Sequence, residues 1–189
     1  MTRTHFVSAF IAAGCLATSV GCASSQEKAK ALEKEQSAEE LYKTGETAAN
    51  HGDMTRAEQY FISALRAGGP EKPIIQRLLF VCAADQRYPV ALEHAEHYLH
   101  KHPMDQDILF ASASLHAAVG DISGAHARLQ TVVRARPDWA EAHYALATVL
   151  REEGDSSNLA DEQDLAYLRL NPTGPLAETA RARLYGGPR

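Results

Sequence analysis

The chain has 189 residues, of which 45% are hydrophobic, so it is long enough for one ordinary domain and is not embedded in a membrane throughout. Its 19 basic and 24 acidic side chains give a net charge of -5, which disfavours a nucleic-acid partner. Of its three cysteines only Cys82 follows residue 22, so the rest of the chain offers no internal disulfide, and we expect Cys82 to be a small core residue.

Residues 1–21 have the pattern of a secretion signal, because Arg3 precedes a short apolar run that begins at Phe6. The run is too short, and too rich in Ser, Thr and Gly, for a membrane-spanning helix, which needs about 20 apolar residues. The Gly-Cys pair ending at Cys22, followed by Ala-Ser-Ser, resembles the lipobox of bacterial lipoproteins. That resemblance implies a lipid on Cys22 and, since no aspartate follows, an outer-membrane anchor facing the periplasm. The alternatives are a soluble periplasmic protein cleaved nearby and lipidation at Cys15.

Residues 22–37 are predicted to be a flexible tether between this anchor and the folded part. The stretch is charged and has almost no large apolar side chain except Leu32, so it has little surface to bury. Its Ala, Glu, Lys and Gln residues favour a helix, but we expect only marginal order there.

A repeated pattern begins after the tether. A small residue recurs at intervals of 34, 34 and 35 residues, and a proline follows the last three of these residues after 12 positions. A fixed period of this size indicates a solenoid of helix pairs. The small residues are Ala57, Ala91, Ala125 and Ala160.

Apolar spacing, turn residues and prolines together predict the helices. We expect the last of them, over residues 175–185, to cap the open end of the solenoid. The helices before it are predicted over residues 38–50, 55–67, 73–84, 88–101, 106–118, 122–135, 139–153 and 158–170.

The repeats at 38–71, 72–105, 106–139 and 140–173 resemble the tetratricopeptide repeat (TPR) family. The recurring alanine falls at the twentieth place of each, and the turn glycine is present except in the second repeat, where Gln86 replaces it. Asp164 stands where that family has a bulky apolar residue. The resemblance implies an all-α fold, a right-handed α-solenoid of about four helix pairs over residues 38–172, with residues 174–189 forming a capping helix and tail.

The same resemblance implies which side chains face the concave groove. We expect aromatic residues to line a floor of small ones, with an acidic edge at Glu39, Asp107 and Glu141, and to bind an apolar or mildly basic protein segment. The alternative is that these aromatics pack between repeats or under the capping helix. The predicted groove residues are Tyr42, Glu46, Gln76, Phe80, Phe110, Ser114, Tyr144, Thr148 and Arg151.

Four histidines at His94, His97, His100 and His102 are the most conspicuous titratable cluster. They lack the zinc-protease order, in which glutamate directly follows the first of two histidines four apart, and we expect them on a solvated face. There is no nucleophile motif and no Gly-rich phosphate loop, so we predict no enzyme activity, no metal, no cofactor and no small-molecule substrate.

The function that these patterns favour is an adaptor lipoprotein holding another envelope protein during assembly. Such proteins are similar to the pilotins and accessory factors of type IV or Tad pili and of secretin pores. One alternative is a scaffold or regulator of peptidoglycan enzymes, and another is a His-dependent metal-binding protein of the envelope.

Overall fold

The computed structural model describes residues 37–154 and 157–186, and these residues contain helices and no strand. Helix α1 covers residues 37–50 of the described part. The proposed lipidation site Cys22 and residues 22–36 of the predicted tether lie outside the described residues, and the last tether residue, Ser37, is the first residue of α1. The other helices are α2 (Met54–Arg66), α3 (Glu71–Ala84), α4 (Tyr88–Lys101), α5 (Gln106–Ala118), α6 (Ile122–Ala135), α7 (Ala140–Glu153), α8 (Ser157–Leu170) and α9 (Ala177–Tyr185).

Each helix packs on the next in chain order, and α3 also contacts α5 across the helix between them. The helix ends lie within two residues of the predicted ones. The predicted all-α solenoid of helix pairs is therefore confirmed. Within the described ranges, none of the helices has the length and apolar content needed to cross a bilayer.

The turn inside each helix pair places one residue in the left-handed region, where only glycine avoids a clash of its side chain with the backbone. Three of the four repeats supply glycine, and the second supplies Gln86. The φ angles are +80° at Gly52, +57° at Gln86, +83° at Gly120 and +85° at Gly154.

The residue after this turn starts the second helix of the pair. Asp53 and Asp121 cap their helices by accepting hydrogen bonds from the backbone N–H groups of Arg56 and Gly124. Arg87 takes this place in the second repeat and makes no such cap. The second repeat therefore departs from the others at two successive positions.

The recurring alanines are the contact points between paired helices. All four are completely buried: Ala57, Ala91, Ala125 and Ala160 each have 0% exposure. A methyl side chain lets two helices approach closely, and larger side chains then pack above and below it. Around Ala125 these are Leu129 of the same helix and Leu146, Val149 and Leu150 of α7.

Helix α9 covers the open end of the solenoid. Its Ala177 and Ala180 pack on Tyr167 of α8 and Ala140 of α7, in the packing expected of a capping helix. Asp164, which stands where the tetratricopeptide repeat family has a bulky apolar residue, is fully buried in the same region.

Two guanidinium groups face the buried carboxylate of Asp164. Its Oδ2 atom lies 2.7 Å from Nη1 of Arg151, and its Oδ1 atom lies 3.7 Å from Nη1 of Arg183. Burial raises the pKa of the Asp164 carboxyl, and the two guanidinium groups act against that rise. Asp164 of α8 thus makes electrostatic contacts with both α7 and α9.

Replacing Ala125 by Arg should unfold the third repeat, because the site has no space for a long charged side chain and no partner for its charge. We expect a loss of about 3 kcal/mol, or roughly 10 °C in the midpoint of thermal unfolding. The control is His97→Ala, which changes an exposed side chain on α4 and should leave the midpoint unchanged. Equal midpoints for the two variants would contradict the packing described here.

Candidate functional site: the concave groove

An open cavity of about 330 Å³ lies between α3 and α5, the first helices of the second and third repeats. We call it the central groove. Three of the predicted groove residues line it, namely Gln76, Phe80 and Ser114. The other lining residues include Ala83, Asp107 and Ala111.

Phe80 is the exposed apolar side chain of the central groove. It keeps 52% exposure although it sits in the middle of a well-packed helix. The guanidinium carbon of Arg77 lies 4.9 Å from the centre of its ring, and Arg77 is in turn ion-paired with Glu46 of α1. The predicted groove residue Glu46 therefore acts on the groove through Arg77 and helps to position the Phe80 ring.

The predicted acidic edge is neutralised within the chain at two of its three positions. Asp107 Oδ2 lies 2.7 Å from Nζ of Lys72, and Asp107 Oδ1 lies 3.1 Å from Nη1 of Arg136. Glu39 pairs with Lys43 on its own helix. The expected preference for a basic segment therefore loses its support beside the central groove, where the free surface is apolar.

Tyr42 lies at the N-terminal end of the predicted stripe and is half-buried. Its ring packs on Phe61 at a centroid distance of 5.5 Å. Burial raises the pKa of its phenol, and the neighbouring carboxylate of Glu46 adds to the rise. Tyr42 is therefore part of the packing between α1 and α2 and is not among the residues that line the central groove.

Phe110 is likewise half-buried, in contact with Trp139 at a centroid distance of 4.7 Å. It touches both of the larger core clusters, so it joins the second and third repeats. Trp139, just before α7, thus packs against the Phe110 ring, which agrees with the alternative that these aromatics pack between repeats, and the place of Phe110 in a binding groove stays a prediction.

The C-terminal end of the predicted stripe is closed by α9. The guanidinium carbon of Arg183 lies 4.5 Å from the centre of the Tyr144 ring, and Arg183 also donates a hydrogen bond of 3.1 Å to Thr148. Arg151 is held by Asp161 and Asp164. The chain's own last two helices therefore contact Tyr144, Thr148 and Arg151, and a role for these half-buried residues in partner binding stays a prediction.

The histidine prediction holds for His97, which is exposed, but not for His94. The His94 ring is half-buried, with Nε2 3.4 Å from Oε1 of Glu58 on α2. Burial raises the pKa of Glu58, but hydrogen bonds from Arg87 and His94 outweigh it, and the pKa lies below its usual value. The His94 side chain faces α2 of the neighbouring repeat. The spacing of residues within α4 alone could not predict this contact.

Cys82 lies beside the same pair and is fully buried, as predicted. Ligand atoms of Glu58, Cys82 and His94 all lie within 4.8 Å of one another. Burial, followed by the charge of Glu58, raises the pKa of the Cys82 thiol to about 12, so the thiol is protonated at neutral pH and unreactive as a nucleophile. Sequence reasoning missed this cluster; its only signal was the departure of Gln86 and Arg87 from the repeated Gly-Asp turn.

Truncating Phe110 and Tyr144 together to Ala should destabilise the fold, because both rings pack against other aromatic rings. We expect roughly 2 kcal/mol for each ring, below the about 3 to 5 kcal/mol typical of fully buried aromatics. Phe80→Ala, which removes an exposed ring, should melt within a degree or two of the parent, by the small effect usual for surface substitutions. Circular dichroism melting compares the variants, and a double variant as stable as Phe80→Ala would show that the stripe is exposed after all.

Comparison with known proteins agrees with this architecture. The family model described as "Tetratricopeptide repeat" matches residues 83–149, which run from the end of α3 into α7. A search of curated proteins finds no match.

Several solved structures have a fold similar to that of this chain. A tetratricopeptide repeat protein from Parabacteroides merdae superposes with a TM-score of 0.68 at 22% identity over 79% of this chain, which spans 59% of that protein's length. MamA gives a TM-score of 0.70 at 17% identity, covering 79% of each chain. YrrB, described as a TPR protein with an unusual peptide-binding site, gives 0.65 at 21% identity, covering 86% of each chain. The described part of the chain is thus an all-α tetratricopeptide-repeat solenoid closed by a C-terminal helix.

Proposed function

We propose that this protein is a non-enzymatic adaptor that binds a segment of another protein in the central groove. The observation that carries the proposal is the exposed ring of Phe80 beside an open cavity, in a solenoid whose other aromatic groove residues are covered. Large exposed aromatics beside a concave surface are the usual anchors of protein recognition.

The cavity suits one or two apolar side chains of a peptide. Its volume of about 330 Å³ is at the lower end of the ~300–1,000 Å³ range of ligand pockets. Ala83 and Ala111 on the floor leave room for a partner to approach closely, and Gln76 and Ser114 offer exposed hydrogen-bonding groups at its edge. Asp107 is already ion-paired with Lys72 and Arg136. The groove therefore best fits an apolar partner segment, which needs no basic residue. The peptide-binding site named for YrrB supports a peptide as the class of ligand.

The cellular setting is proposed from the sequence. The apolar leader and the Gly-Cys pair at Cys22 support a lipid-anchored protein on the periplasmic side of the outer membrane, with residues 22–37 as its tether. In that setting the bound segment belongs to another envelope protein, and assembly of a type IV or Tad pilus or of a secretin pore is the role we favour. A scaffold for peptidoglycan enzymes uses the same groove and is the second candidate.

Phe80→Ala should abolish or strongly weaken partner capture while leaving the fold intact. Loss of a central aromatic anchor costs about 2 kcal/mol, or roughly 30-fold in Kd. The matched control is Leu159→Ala, which removes an equally exposed apolar side chain (51%) from α8, outside the groove. Partners are isolated from solubilised envelopes with the parent protein, identified, and titrated against each variant. Equal affinity for parent and Phe80→Ala would refute the groove as the binding site.

Cys22→Ser should release the protein from the membrane or leave it as an uncleaved precursor. The serine hydroxyl cannot carry the thioether-linked lipid, and stable anchoring requires more than one acyl chain. Mass spectrometry of the parent should find a lipidated N-terminal residue at position 22, and Cys15→Ser is the control that should retain it. A mature N-terminus elsewhere without lipid would contradict the anchor but would leave the groove proposal standing.

A further inference from the structure

Three consecutive helices bring one carboxylate, one thiol and one imidazole together at a single point. Glu58 comes from α2, Cys82 from α3 and His94 from α4, and their ligand atoms lie within 4.8 Å of one another. All three are shielded from solvent: the thiol is fully buried, and the Glu58 and His94 side chains keep 12% and 24% exposure. We propose that Glu58, Cys82 and His94 form a binding site for one zinc-class divalent cation, with water as the fourth ligand.

One of the three separations between ligand atoms already fits a tetrahedral cation. Zn–N and Zn–O distances of about 2.0–2.1 Å place neighbouring ligand atoms about 3.3 Å apart. The Nε2 atom of His94 already lies 3.4 Å from Oε1 of Glu58. Small side-chain rotations that draw the Cys82 sulfur toward this edge complete the three-residue set. Sulfur and imidazole nitrogen select zinc or a similar borderline metal over Mg²⁺ or Ca²⁺.

Arg87 orients the carboxylate for this task. Its Nη1 atom lies 2.5 Å from Oε2 of Glu58, which leaves Oε1 turned toward His94. A polar group that holds the outer atom of a ligand is typical of metal centres. Arg87 also stands where the first and third repeats have a capping aspartate, and it does not cap its helix. Its side chain instead donates a hydrogen bond to Glu58.

The packing between repeats does not by itself require such a set. The same three places recur at the next interface, one repeat of 34 residues later, where they are occupied by Leu92, His116 and Arg128. There a histidine takes the place of the thiol and an arginine that of the imidazole, while the carboxylate comes from Glu96, which pairs with Arg128 and lies 3.5 Å from Nε2 of His116. Among the described residues, the buried thiol beside a carboxylate and an imidazole is therefore the feature particular to the interface of α2, α3 and α4.

Binding is a simple exchange of a proton for the metal. The cation bonds to the sulfur of Cys82, the S–H bond breaks, and the proton passes to water or buffer, with no change in oxidation state. The resulting thiolate and the Glu58 carboxylate balance the divalent charge, and the positive charge of Arg87 is balanced by Asp85, whose Oδ2 atom lies 2.8 Å from Nε of Arg87. The site is separate from the central groove, so it stands or falls independently of the proposed adaptor function.

The test uses Co²⁺ as a probe, because a thiolate bound to cobalt gives a strong sulfur-to-metal charge-transfer absorption. The full chain carries Cys15→Ser and Cys22→Ser, so that Cys82 is the sole thiol, and it has no polyhistidine tag. We expect one equivalent of Co²⁺ to produce the absorption and Zn²⁺ to displace it. Zn²⁺ should also raise the midpoint of thermal unfolding, since it binds the folded chain.

Three variants and one control decide the site. Cys82→Ser should abolish the absorption, and Glu58→Gln and His94→Gln should each weaken Co²⁺ affinity by about tenfold or more. His126→Gln is the matched control, because His126 is also half-buried beside a glutamate, at 2.9 Å from Glu153, but has no cysteine near it. Circular dichroism confirms that each variant folds, and should Cys82→Ser fail to fold, Glu58→Gln and His94→Gln decide alone. Co²⁺ binding without the sulfur absorption, or an absorption unchanged in Glu58→Gln and His94→Gln, would overturn the proposal.

Discussion

Four fully buried alanines set the distance between the paired helices, and the rest of the solenoid depends on that distance. At Ala57, Ala91, Ala125 and Ala160 a methyl group is the largest side chain the contact admits. The close approach lets the larger residues of each pair interlock with those of the next, as Leu129 does with Leu146 around Ala125. Because the alanines recur with a constant period, successive pairs stack with the same geometry and leave a continuous concave surface.

That surface is open in its middle and closed at its C-terminal end. Arg183 of α9 lies over the Tyr144 ring and donates a hydrogen bond to Thr148. The carboxylate of Asp164 lies 3.7 Å from the same guanidinium group. Between α3 and α5 the Phe80 ring stays about half exposed although Arg77 lies beside it, and the charges nearby are balanced by the chain's own ion pairs. A partner segment therefore meets an apolar site of limited size, which favours recognition of a short anchor over a long charged stretch.

The sequence was sufficient to predict the helices, because their ends depend on local features: turn glycines, prolines and helical spacing. The recurring alanines predicted the helix pairs for the same reason. The exposure of the groove aromatics was not predictable, since Phe110 is covered by Trp139, 29 residues away, and Tyr144 by Arg183, 39 residues away. His94 was misplaced in the same manner, because its partner Glu58 lies on another repeat. The periodicity of apolar residues indicates which face of a helix is buried. It does not identify the side chains of neighbouring helices that contact the other faces.

The central claim is that a partner occupies the groove between α3 and α5, and hydrogen–deuterium exchange of the full chain with and without a captured partner segment tests it most directly. We expect the segment to slow exchange in α3 and α5, the helices that carry Phe80 and Ser114, while exchange in α7 and α9 stays the same. Protection confined to α7 and α9, or to the second helices of the pairs, would contradict this account and place recognition on a different face of the solenoid.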